Sequence, residues 1–364
     1  MSEYILVLVW LAVAGFISAQ IPKQKMLIGN RIEYRYPIWW AVLIMLPIIF
    51  WAGTRGYIGD TYNYARTFNE MPKQISEVGN YMSGITKDKG FYFFSTLIKV
   101  FISSDETIYF LILAVIQGTL LVKLYRKYSL SYVTSIFLFI ASTDYISWMY
   151  NGIRQFTAVS ITLLAFDCAL KKKYAKAVLI ILFASLFHKS ALVVLPFIFI
   201  CQGKSWNKKT LFFIATILII VTGIEKFTGL LDSVLTETQY QNVVSDWKSF
   251  NDDGTNILRV LVYSVPCILA FIGKRKIEKA DNSIINYCVN MSLISAGFYI
   301  ISIFTSGIFI GRIPIYFSLY NYILLPWEIK NLFERRSAVL IQILMVMAYI
   351  VFYYYSMYYA WSFI

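Results

Sequence analysis

The chain contains one histidine, His188, inside the segment LFHKSALVVLP that runs from Leu186 to Pro196. An imidazole titrates near neutral pH, so it suits proton transfer to or from a substrate hydroxyl. Lys189 follows it directly. A second candidate base is Asp60, which Tyr62 and Tyr64 follow in GDTYNYARTF. A carboxylate beside aromatic rings is a natural contact for a sugar, which offers hydroxyls and apolar faces. A third set is cationic. Arg55 precedes that segment, Arg154 lies in NGIRQF beside Gln155, and Arg312 lies in GRIPIYF with Tyr316. A guanidinium fork can donate two parallel hydrogen bonds to a phosphate. Arg154 and Arg312 also stand where helices are expected to start, and free amides and the helix dipole favour anions there. The competing reading is interfacial. Each arginine would anchor a helix end to lipid phosphates, His188 and Lys189 would snorkel, and the 28 tyrosines would form an aromatic belt.

The elements that must position these residues are apolar. Hydrophobic residues make up 59% of the 364 residues and charged residues 15%. Apolar runs recur from end to end, which predicts an all-α polytopic membrane protein with 1–364 as a single membrane domain. About 11–13 transmembrane or re-entrant helices are expected. Tyr4 to Ala19 reads as a retained helix, because Glu3 stands where a signal peptide would be basic. The runs on either side of His188, Ala175–Phe187 and Ala191–Cys201, are each short of the ~20 apolar residues that span a bilayer. They predict a hairpin that turns at His188. Single helices are expected over Ile38–Gly53, Ser131–Met149, Ile257–Ile272 and Ile313–Trp327.

Six proposed inner loops hold 21 of the 33 Lys and Arg, which orients the chain by the positive-inside bias. The net charge of +13 follows this topology and is not read as a nucleic-acid surface. Outer loops are then expected at 54–106 and 225–256, with Arg55, Arg66, Arg154, Lys189 and Arg312 against the bias and His188 level with them. Asp144 and Asp167 are the charges expected elsewhere within the spans. The four cysteines lie in or beside apolar runs without ligand spacing and read as packing residues. Asp252–Asp253–Gly254 reads as a solvated turn and not as a metal site. No phosphate-cradling glycine loop and no GxSxG elbow is present in the sequence.

Five short pieces in order, GDTYNYARTF, KGFYFFSTLIKVF, NGIRQFTAVSI, LFHKSALVVLPF and GRIPIYF, resemble the EpsG family, a branch of the Wzy-type O-antigen and exopolysaccharide polymerases. The resemblance covers Arg55 to Phe317. It implies a membrane glycosyltransferase related in architecture to O-antigen ligases and the GT-C class, in the bacterial inner membrane with its site facing the periplasm. Such proteins join oligosaccharide repeat units carried on undecaprenyl diphosphate. Both donor and acceptor would be lipid-linked, and a polysaccharide chain-length regulator would be a further partner. In that scheme Arg154 and Arg312, with Arg55 third, hold the diphosphate. His188 is the first choice of base and Asp60 the second. Tyr62, Tyr64, Lys189, Gln155 and Tyr316 contact the glycan. The scheme requires neither cofactor nor metal. Two rivals remain on sequence: a flippase for the same lipid-linked glycan, and a membrane O-acyltransferase.

Overall fold

The computed structural model describes residues 3–28, 31–234 and 254–361, with no side chains described at 231–234. Asp246, Asp252, Asp253 and most of the expected outer loop 225–256 lie outside the described residues. The protein is an all-α polytopic membrane protein. It packs as two compact units, 1–195 with 339–364, and 196–338.

The first unit begins with α1 (Glu3–Ser18), a hairpin of β1 (Gln24–Ile28) and β2 (Arg31–Arg35), and α2 (Ile38–Gly53). The strands pair antiparallel from Gln24 opposite Arg35 to Ile28 opposite Arg31. The unit continues through α3 (Thr61–Glu70), α4 (Ile75–Ser83), α5 (Lys89–Phe101), α6 (Glu106–Tyr128) and α7 (Tyr132–Ala141). A π-helical segment, Tyr145–Asn151, leads into α8 (Ile153–Leu170) and α9 (Tyr174–Phe187). A 3-10 turn over Lys189–Val193 follows, and α10 (Val194–Ile200) begins where the first unit ends. The second unit holds α11 (Lys208–Thr222), α12 (Ile224–Val234), α13 (Ile257–Ile272), α14 (Lys274–Ala280), α15 (Ser283–Ile303), α16 (Ile315–Ser318) and α17 (Asn321–Leu332). The last helix, α18 (Arg335–Tyr359), returns to the first unit from Val339 onward.

By length and composition α6, α8, α15 and α18 can each cross a membrane, and the bent pairs α11–α12 and α13–α14 pass the same test together. Shorter apolar helices, α1, α2, α7, α9 and the segment Lys189–Ile200, accompany them. Polar side chains tie the apolar helices of the first unit together. The Gln117 amide on α6 donates to Thr157 Oγ1 at 2.9 Å and to the Ile153 carbonyl at 3.3 Å on α8. Tyr132 and Tyr145 each donate at 2.8 Å to carbonyls of α2, those of Ala41 and Ile48. In an apolar surrounding such bonds have no water to compete with them. At the end of α6, Arg35 donates to the Lys127 carbonyl at 3.0 Å and Arg126 to the Tyr36 carbonyl at 2.7 Å. These two bonds fasten the hairpin to the basic end of the helix.

Four expectations need correction. The polar part of the expected outer loop 54–106, residues 54–89, is not irregular throughout, since it forms α3 and α4. Ser131–Met149 is not one helix. Thr143 takes a left-handed φ of +68°, and the chain restarts as the π-helical segment. Nothing in the sequence marks this break, because neither glycine nor proline stands there. Asp144 and Asp167 are also not the only charged residues inside the apolar helices, because Glu328 lies fully buried in α17. The expected helix over Ile313–Trp327 is shorter at its start. It is a turn at Ile310–Arg312, then α16, then α17.

Candidate functional site

The site is built around the join between the π-helical segment and α8. Gly152 ends the first, and Arg154 is the second residue of α8. Against this join lies the start of α3. The backbone N–H of Asp60 donates to Asn151 Oδ1 at 3.0 Å, and Thr61 Oγ1 donates to the Tyr150 carbonyl at 3.3 Å. Gly59 makes the approach possible. It has φ +55°, and a Cβ there would lie 2.7 Å from Asn151 Oδ1. On α3 the residues Thr61, Ala65 and Phe68 are buried, which is helical spacing. Tyr64 shares that inward face. Tyr62 does not, and is exposed against Tyr57 with ring centroids 5.6 Å apart.

Tyr64 links Arg55 and Arg154. The Arg154 guanidinium lies 5.9 Å from the Tyr64 ring centroid and 5.7 Å from that of Tyr92. Its Nη1 donates to Asp88 Oδ2 at 3.1 Å and to the Tyr92 hydroxyl at 3.3 Å. Arg55 sits over the rings of Phe110, at 4.4 Å, and Tyr150, at 5.1 Å, and donates to the Met149 carbonyl. Each such face-on contact contributes about 0.5–2 kcal/mol and fixes the plane of the guanidinium. Burial pushes Arg55 down to about 10, so it still carries its charge at neutral pH. Both arginines act electrostatically on the Tyr64 phenol or are acted on by it. Burial raises that phenol, Arg154 opposes the rise, and Asp60 adds to it. Arg55 Nε and Arg154 Nε are buried with no hydrogen-bond partner among the described residues.

The His188 turn is brought to the same end of the unit by α5. Asp88 has φ +48° and starts α5, and its carbonyl accepts the N–H of Phe91 at 2.9 Å. Two residues on, Gly90 presses on α9, where a Cβ would lie 2.6 Å from Leu186 Cβ and 2.8 Å from its carbonyl oxygen. Phe94 and Phe187 continue the contact with ring centroids 5.9 Å apart. The helix α9 ends at Phe187, and His188 is extended there at φ −157°. The turn at His188 is therefore where the apolar runs were expected to break. The Ser190 hydroxyl lies 2.6 Å from Nδ1, and the Ser190 backbone N–H points at the same nitrogen from 3.4 Å. An N–H can only donate, so Nδ1 accepts, which places the proton of the neutral ring on Nε2.

The remaining expected site residues have different settings. Lys189 is exposed and Gln155 is buried beside Arg154. Arg66 is exposed and faces Glu70 at 3.9 Å on the same helix. Arg312 and Tyr316 belong to the second unit. There Arg312 closes a 3-10 turn and is half-buried, and Tyr316 is fully buried. Sequence reasoning missed Asp88, Tyr92 and Asn151. Asp88 directly precedes the KGFYFF helix, so its place at a helix start was readable, but its pairing with a residue 66 positions away was not.

Among families with known members, the model described as the EpsG family matches residues 38–363 of this chain. Neither the curated proteins nor the solved structures gave a match.

Proposed function

The chain belongs to the EpsG family, a Wzy-like polymerase family, and from that premise we propose that it joins undecaprenyl-diphosphate-linked oligosaccharide repeat units into a long surface polysaccharide. The family carries a polysaccharide polymerase-like role; the lipid carrier and the reaction are the reading argued here. The observation that supports it is the pair Arg55 and Arg154. Both are held face-on by aromatic rings around Tyr64, and both keep a buried Nε without a partner among the described residues.

In the reaction the acceptor hydroxyl attacks the anomeric carbon of the donor glycan. A new carbon–oxygen bond forms, and the bond from that carbon to the lipid diphosphate breaks. Charge collects on the departing diphosphate. Fixed guanidinium groups stabilise it without reorganising during the step. Arg154 is already oriented by Asp88, so the ligand meets a set geometry and not a mobile side chain. The acceptor proton goes to a carboxylate. Asp60 is the group for this, since its side chain makes no cap to α3 and its charge reaches Tyr64. His188, with Nδ1 engaged by Ser190, donates from Nε2 to a diphosphate or sugar oxygen. The site is proposed to face the periplasm of the inner membrane, since the Lys and Arg excess gathers at the opposite loops.

The test is the surface glycan of cells carrying the wild type, Arg154→Ala or Arg55→Ala, sized on a gel with the membrane level of each protein matched. Long chains with the wild type and single repeats with both variants are expected. Long chains from both variants would overturn the assignment.

A further inference from the structure

At the other end of α8 the first unit holds a second polar site that the polymerase reading does not use. Asp167 lies 13 positions after Arg154, about 20 Å along the helix at ~1.5 Å per residue. It accepts from Lys171 at 2.7 Å and also from Lys127 and the Tyr128 hydroxyl. One carboxylate thus faces two ammonium groups. Lys123 and Lys176 add two more charges nearby, both exposed and with no carboxylate paired to them among the described residues. Together with Lys127 and Asp167 they line a cleft of about 370 Å³ between α6, α8 and α9.

The cleft has two kinds of wall. Lys123, Lys127 and Lys176 make part of its lining basic, while Leu124, Leu163 and Ile180 make much of the rest apolar. Leu179, one turn after Lys176 on α9, is exposed and adds apolar surface beyond the cleft. A soluble anion would use the lysines and leave the leucines in contact with water. A nucleic acid would need charge spread along a surface, and this is a half-open notch beside helices long and apolar enough to cross a membrane. A ligand with a phosphate head and an acyl tail satisfies both walls at once.

We propose that this cleft binds an anionic phospholipid, with the phosphate among Lys123, Lys127 and Lys176 and an acyl chain laid along the leucines toward α9. Basic pockets between membrane helices at the positively biased face are suited to such headgroups. The Asp167 carboxylate acts as a brace. It holds Lys127 and Lys171 in place through the absence of lipid and keeps their charge from unfolding the α8–α9 turn by mutual repulsion. The surplus positive charge then distinguishes an anionic headgroup from a zwitterionic one, although both carry a phosphate. The site is separate from Arg55 and Arg154, and it stands whether or not the polymerase reading does.

The full-length protein, purified in detergent, would be analysed by native mass spectrometry after addition of phosphatidylglycerol or phosphatidylcholine at equal concentration. Phosphatidylglycerol is expected to stay bound at least tenfold more than phosphatidylcholine. Lys123→Ala with Lys176→Ala removes two exposed lysines that make no hydrogen bond or ion pair among the described residues. Each basic residue near a headgroup contributes about a factor of five, so the pair should weaken retention roughly 25-fold. The Lys123→Gln, Lys176→Gln pair should do the same and excludes a packing effect of the truncation. Equal retention of the two lipids would overturn the proposal, as would unchanged retention in both double variants. Loss of bound lipid to millimolar inorganic phosphate would also overturn it, by showing a site for a free anion.

Discussion

Arg154 and Asp88 meet at 3.1 Å, each at the start of its own helix and 66 residues apart in the chain. The carboxylate is 10% exposed and the guanidinium 25%, so the pair is partly shielded from water. Asp88 serves Arg154 in two ways. It selects one orientation of the guanidinium over the Tyr64 and Tyr92 rings, and it supplies a counter-charge while the diphosphate position is empty. An arriving diphosphate must share Arg154 with Asp88, which lowers ground-state affinity and leaves the interaction to strengthen as charge builds on the leaving group.

That relationship predicts coupling. Asp88→Asn, Arg154→Gln and the double variant should show a coupling energy of about 1 kcal/mol in thermal or denaturant unfolding in detergent, the scale of a partly exposed pair. Asp88→Asn should also lower the apparent KM for a lipid-linked donor and lower kcat with it. Additive single effects and an unchanged KM would show the two groups to be neighbours without interaction.

Gly90 sets the distance between α5 and the His188 turn. Gly90→Val would place a methyl-bearing carbon against both the Leu186 side chain and its carbonyl oxygen, so α5 must move. A cost of about 1–3 kcal/mol is expected, with loss of chain growth. Adding Leu186→Ala leaves both clashing atoms, the Cβ and the carbonyl oxygen, in place, so it should restore neither stability nor activity. Full recovery in the double variant would mean the backbone contact is unimportant.

Lys99 is buried in α5 and donates to the Phe68 carbonyl at 2.6 Å and the Asn69 carbonyl at 2.7 Å, at the last turn of α3. It supplies donors to carbonyls at a helix end, where intrahelical N–H groups run out; the Phe68 carbonyl also accepts the Met71 N–H at 3.1 Å. Lys99→Met keeps the stem and removes both bonds. The expected loss is about 2 kcal/mol, with faster amide exchange across α3 and weaker donor binding as Tyr64 loses its fixed place. Unchanged exchange in α3 would refute this link.

Much of this arrangement was readable from residue order. Ile38–Gly53 and Ile257–Ile272 form helices with the expected limits, because a continuous apolar run between polar flanks has one stable form in a bilayer. The break at His188 was legible for the same reason, since neither flanking run spans alone. The π-helical segment was not legible. It rests on Tyr145 reaching the Ile48 carbonyl and Tyr150 reaching Tyr145 at 3.0 Å, bonds that exist only once α2 packs alongside. The candidate site divides in the same way. Arginines stand out in an apolar sequence, so Arg55 and Arg154 were found. Asp88, in a polar stretch rich in other carboxylates, carried no local sign of its partner. Tyr62 and Tyr64 looked alike in sequence, and only the helical period of α3 separates the exposed ring of Tyr62 from the half-buried, inward ring of Tyr64.

Glu328 gives the second unit its own test. It is fully buried in α17, and neither carboxylate oxygen has a hydrogen-bond partner among the described residues. A charge there would be costly without a partner. Glu328→Gln keeps the shape without the option of charge and should hold or raise the unfolding temperature. Glu328→Ala leaves a cavity and should lower it by several degrees. Equal losses in both variants would show that the carboxylate itself is required.

The central claim is that this chain makes the glycosidic bond by displacing a lipid diphosphate at Arg154. The most direct measurement uses the purified full chain in lipid vesicles with a defined undecaprenyl-diphosphate-linked repeat unit as the sole substrate. The account predicts glycans of two or more repeats, one lipid diphosphate released per new linkage, and neither product with Arg154→Ala folded to the wild-type level. Release-free transport of the intact substrate across the vesicle, or undiminished polymer from the variant, would contradict it.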